Sequence, residues 1–128
     1  MRTRVKICGI TRPEDGVEAA RLGADAIGLV FYAGSARCVD IERAQAICAA
    51  LPPFVSVVGL FVDAAGDEIR RVLDAVPVDV LQFHGDECPA DCGGFGRAYI
   101  KALGMRPDTD VNGFAATYPD AAGILLDT

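Results

Sequence analysis

Short apolar runs rich in Val, Ile, Leu and Phe recur along this chain with segments of helical period between them, and this alternation restricts the available folds more than any other feature. The runs fall at residues 5–8, 26–31, 55–62, 78–84, 98–103 and 123–127. Their starts are roughly 20 to 30 residues apart, the length of a strand plus a crossover helix. The pattern therefore predicts six strands in a parallel α/β sheet joined by five helices. No linker, low-complexity tract or shift in composition divides the 128 residues, so a single domain is expected.

Several helix boundaries carry their own signals. Thr11-Arg12-Pro13-Glu14 reads as a capping box with proline in the first turn, and Gly23 suits the end of that helix. Pro52-Pro53 closes the second helix. In the third, Ile69, Val72, Leu73 and Val76 follow helical spacing, with Asp67 near the start. The fourth crossover, residues 88–96, is short and Gly-rich, which weakens its helix.

Composition excludes several classes of function. A formal charge of −6 with no Lys/Arg cluster argues against nucleic acid, and no apolar run reaches the length of a membrane span. The five cysteines are scattered and odd in number, so reduced thiols are expected. Met1-Arg2-Thr3-Arg4 leads directly into the first strand without a signal-like stretch, and a cytoplasmic location is expected.

In parallel α/β folds the working residues sit at the carboxyl ends of strands, and polar groups interrupt the apolar runs there. Strand alternation places Lys6 and Cys8 on one face, about 6 to 7 Å apart, and an ammonium favours the thiolate of a nearby cysteine. A small buried thiol is the competing reading. Gln82 and His84 share a face ahead of Gly85, although a lone histidine is more often structural than catalytic. Asp127 ends the sixth run, where a carboxylate has few structural reasons to stand. Arg37, in the loop after the second run, has the fork that suits a carboxylate, against simple surface solvation.

Two other readings compete. A receiver-type signalling domain of flavodoxin-like fold is suggested by Asp63 after the third strand and Lys101 on the fifth, but Cys8-Gly9-Ile10-Thr11 stands where its magnesium-binding acids belong. A metal or redox site from His84, Cys88 and Cys92 lacks a fourth ligand and rests on a helix weakened by Gly93-Gly94.

Four stretches, in this order, resemble the phosphoribosylanthranilate isomerase family along essentially the whole chain. They are Val5-Lys6-Ile7-Cys8-Gly9-Ile10-Thr11; Gly28-Leu29-Val30-Phe31-Tyr32 followed by Ser35-Ala36-Arg37-Cys38-Val39; Leu81-Gln82-Phe83-His84-Gly85; and Leu125-Leu126-Asp127-Thr128. The second has Ala36 where the family's Ser-Pro-Arg-x-Val loop has proline, which loosens the expected placement of Arg37. The resemblance implies a (β/α)8 TIM barrel and an Amadori rearrangement of N-(5-phosphoribosyl)anthranilate in tryptophan biosynthesis. It further implies Cys8 as general base, Asp127 in an apolar setting as general acid, Arg37 as anchor for the substrate carboxylate, and Lys6, Gln82 and His84 lining the pocket. Neither metal nor organic cofactor is implied, and the one expected partner is the small-molecule substrate. Such a barrel has eight strands and roughly 200 or more residues. Residues 1–128 are thus expected to form a partial barrel without the seventh and eighth units and their phosphate-binding loops, inactive alone and prone to self-association or complementation through its open edges.

Overall fold

The computed structural model describes residues 1–128 and places a strand on each apolar run. The strands are β1 (Lys6–Cys8), β2 (Ala26–Val30), β3 (Ser56–Phe61), β4 (Val80–Phe83), β5 (Ala98–Gly104) and β6 (Gly123–Asp127). The first four are one to three residues shorter than the apolar runs, β5 is one residue longer and β6 coincides with its run. Between them lie α1 (Pro13–Arg21), α2 (Ile41–Ala50), α3 (Gly66–Ala75), α4 (Pro89–Cys92) and α5 (Val111–Thr117). No helix is long and apolar enough to cross a membrane.

All neighbouring strands are parallel and follow sequence order, β1-β2-β3-β4-β5-β6. Sequential order is that of a barrel wall; a receiver-type fold would place its first strand inside the sheet in the order 2-1-3-4-5. The signalling reading therefore fails on topology. β1 and β6 each pair with one neighbour, and Val5, Ile7 and Leu126 around them are exposed.

Alternation along the strands separates two faces. Ile27, Leu29, Phe61, Leu81, Phe83 and Tyr99 point to the helices and form one buried cluster with Ile47 of α2 and Ile69 and Val72 of α3. Phe31 and Phe61 stack within it at 5.4 Å between centroids. Residues on the other face, including Lys6, Cys8, Val30, Leu60 and Gln82, line a cavity on that side of the sheet.

The helix ends correct one expectation. Thr11 does not cap α1: the N-cap is Arg12, with no side-chain cap bond, and Arg12 instead makes a paired contact with Asp15 at 2.9 and 3.0 Å. That salt bridge replaces the expected capping box, while Pro13 does take the first turn. Gly23 stands just beyond the end of α1 at φ +99°, a left-handed conformation suited to glycine. α2 ends at Ala50, before Pro52-Pro53. The Gly-rich fourth crossover holds a single turn, capped by Cys88 and Asp91.

Candidate active site

The carboxyl ends of β1, β2, β3, β4 and β6 converge on a cavity of about 540 Å³ lined by Lys6, Cys8, Arg37, Gln82, His84 and Asp127. All six residues singled out from the sequence are therefore brought to one place. Backbone geometry explains much of this. Gly28 faces Cys8 across the β1–β2 ladder, and a Cβ there would fall 2.9 Å from the thiol sulfur, so glycine makes the room the thiol occupies. Gly9, directly after Cys8, adopts φ +80° and lets the Arg37 guanidinium lie over it.

Arg37 Nη1 donates to the Cys8 carbonyl at 2.9 Å, which ties the loop after β2 to the end of β1. Proline is not needed to hold this loop. The Ser35 hydroxyl accepts from Arg37 N at 3.1 Å, Ser35 N donates to Tyr32 O at 3.0 Å, and Val39 N donates to Val30 O at 2.9 Å. Neither Arg37 nor Lys6 makes an ion pair with a carboxylate. The cavity thus presents two cations free to meet an anionic ligand.

At the ends of β4 and β6, three side chains form a chain of hydrogen bonds. Gln82 Nε2 lies 3.0 Å from His84 Nδ1, and His84 Nε2 lies 3.0 Å from Asp127 Oδ2. Which ring nitrogen carries the hydrogen depends on the tautomer; if the Gln82 amide nitrogen donates to Nδ1, the hydrogen is on Nε2 and is donated to Asp127. Gln82 is buried, and its Oε1 has no partner. The expected apolar enclosure of Asp127 is not found: its side chain is 50% exposed and engaged by His84. The rim of an open strand end gives it solvent, and a polar neighbour takes the place of apolar ones.

The sequence did not single out Tyr32, Ser35 or Leu125, which also line the cavity. Ser35, two residues before Arg37, carried a usable signal, since serine commonly turns back onto a nearby backbone N–H. Glu87 was missed as well; it is buried behind the cavity against Lys101. A lysine inside an apolar strand calls for such an acid somewhere. The alternative metal site is not assembled. Cys92 is buried in the core and Cys88 is exposed, while His84 faces the cavity. Burial pushes the Cys92 thiol up to about 11.

A family model described as N-(5'-phosphoribosyl)anthranilate isomerase matches residues 5–128. The isomerase of Pseudomonas aeruginosa (strain UCBPP-PA14) is 65% identical over 125 residues, covering 98% of this chain and 59% of that relative. That of Nitrosococcus oceani is 57% identical over 127 residues, covering 99% and 62%. The chain thus spans about three-fifths of the length of these relatives. Among solved structures, the Thermus thermophilus isomerase superposes with TM-score 0.88 at 41% identity, covering 97% of this chain and 62% of its own. An isomerase in complex with reduced 1-(o-carboxyphenylamino)-1-deoxyribulose 5-phosphate does so with TM-score 0.91 at 40% identity, covering 99% and 66%. Sequential parallel strands, the convergent site and these matches together place the chain in the N-(5'-phosphoribosyl)anthranilate isomerase family.

Proposed function

We propose that this chain carries the acid, the base and the carboxylate anchor of an aldose-ketose isomerase acting on N-(5-phosphoribosyl)anthranilate in tryptophan biosynthesis. The observation that carries the reading is that Cys8 and Asp127 line one cavity together with Arg37 and Lys6, two cations that no carboxylate pairs. Arg37 offers a planar fork to the anthranilate carboxylate, and Lys6 adds positive charge beside it. His84 occupies Oδ2 of Asp127, leaving Oδ1 to carry a proton towards the ribose.

The proton inventory closes on these two groups. Asp127 gives a proton to the ribose ring oxygen as the C1–O bond breaks, and the nitrogen lone pair forms the C1=N bond. The resulting iminium acidifies C2–H, and the Cys8 thiolate removes that proton while its electron pair forms the C1=C2 double bond of an enolamine. Asp127 then takes the proton of the C2 hydroxyl as Cys8 returns one to C1, giving the ketone and restoring both residues. The substrate's own nitrogen serves as electron sink, so the cycle needs neither metal nor organic cofactor.

The test is Cys8→Ala: kcat should fall by at least about 10², with KM little changed. Near-normal turnover would remove Cys8 from the mechanism. The β1 and β6 edges, each paired on one side only, should associate in light scattering, and a monomeric sample would refute that part.

A further inference from the structure

Behind the cavity, on the helix-facing side of β5, Lys101 and Glu87 form an ion pair that is 2% and 4% exposed. Lys101 Nζ lies 3.2 Å from Glu87 Oε1 and 2.6 Å from the carbonyl of Gly85. Glu87 Oε1 also accepts from Gly85 N at 2.9 Å, and its Oε2 accepts from Asp63 N at 2.9 Å. Both backbone polar groups of Gly85 are therefore taken by the two members of one buried pair.

That arrangement bears on the site through the residue before. The peptide planes on either side of Gly85 are fixed, and the first of them sets the backbone of His84, whose own N–H is held by Phe61 O at 2.9 Å. The loops after β3 and β4 also interlock. Asp63, at φ +50°, accepts from Asp86 N at 2.8 Å, and a Cβ on Gly85 would fall 2.6 Å from its carboxylate. Tyr118 closes the shell: its hydroxyl donates to Glu87 O at 2.7 Å, and its ring centroid lies 5.7 Å from Lys101 Nζ. A buried ion pair is a poor way to gain stability, because desolvation offsets most of the attraction and an apolar pair of similar volume often does as well. Its use here is geometric: two charges with directional bonds can orient a glycine peptide, and apolar side chains cannot.

We infer that Lys101 and Glu87 are positioning residues that aim His84 at Asp127 through the Gly85 peptide. The contact itself rests on the structure alone, whereas its effect on turnover rests on the isomerase reading above. His84 is the single histidine of the chain, so its imidazole nitrogens give one resolved set of signals in long-range nitrogen-proton NMR. In the parent those signals should report a fixed tautomer with the hydrogen on Nε2 and bonded to Asp127. Lys101→Met should average the tautomers and lose that bond, and should lower kcat about tenfold or more with a smaller change in KM. Lys101→Arg, which keeps a charged donor, should restore the parent signature. If Lys101→Met does not fold, Glu87→Gln, which keeps the volume but not the charge, is read by the same criteria. A folded variant with a lower unfolding midpoint but an unchanged His84 signature would reduce the pair to a structural role and overturn the inference. Absence of isomerase activity in the parent would overturn the proposed reaction instead, leaving the NMR result to decide this one.

Discussion

Gly9→Ala is the most informative single change at the site, because one methyl group there does two separable things. Gly9 holds φ +80°, where an L-residue costs roughly 1–2 kcal/mol. The added Cβ would also fall 2.5 Å from Cζ of Arg37, inside any tolerated contact. The guanidinium is the mobile partner and must leave, breaking its 2.9 Å bond to the Cys8 carbonyl. A bond to a charged group is worth about 1.5–3 kcal/mol when shielded, and about 1 kcal/mol is a fair figure for this exposed one. The total is roughly 2–3 kcal/mol, or a Tm lowered by about 8 to 12 °C for a domain of this size. In turnover, loss of a directed carboxylate anchor should raise KM about 10- to 100-fold. Denaturant unfolding of Gly9→Ala, Arg37→Ala and the double variant separates the two effects. With Arg37 already truncated, Gly9→Ala should cost only the backbone strain, so the two changes should fall short of additivity by about 1 kcal/mol. Strict additivity would show that the glycine does not hold Arg37 in place.

Arg37→Ala by itself should mainly raise KM, and in competition assays should weaken anthranilate-bearing product analogues more than simple phosphates. Equal loss against both ligand classes would point to a disordered loop instead. Stability should fall on the alkaline side. Burial raises Cys92 to about 11 and also raises Cys48, Tyr99 and Tyr118, so the folded state keeps protons that the unfolded chain releases. Their contribution is intact below the ordinary thiol value of 9.0 and is lost as pH climbs towards about 11. A denaturation midpoint that stays flat over that window, or is unaffected by Cys92→Ala, would contradict this account. At the acid end, Asp25 is held at about 2 by its hydrogen bonds to Arg2 and Val5 N; its contribution is present above 3.8 and is lost as pH falls towards about 2, which Asp25→Asn should abolish.

Legibility followed periodicity. Strand positions and the pairing of faces were readable because an apolar run with a period of two has few alternatives, and Lys6 with Cys8, or Gln82 with His84, needs only that period to share a face. The sequential strand order was not readable from period alone; it came with the family resemblance. What stayed hidden depends on side chains meeting from distant segments. The bond between Arg37 and the Cys8 carbonyl spans 29 positions, and that between His84 and Asp127 spans 43. Thr11 shows the opposite failure: the local capping pattern was sound, yet Arg12 found a bidentate partner in Asp15 and took the N-cap position without a side-chain cap.

The separation of the two sheet faces has a consequence for how such a protein can change over generations. Every strand residue in the main buried cluster lies on the helix side, and none of the six cavity residues belongs to it. Successive codons in one strand therefore answer to different selective demands, one to persistence of the scaffold and the next to the molecule being handled. Replacements at the inner rim can alter ligand preference without dismantling the packing that keeps the chain folded. A library restricted to alternate positions of β1, β4 and β6 would explore new chemistry on a largely unchanged framework.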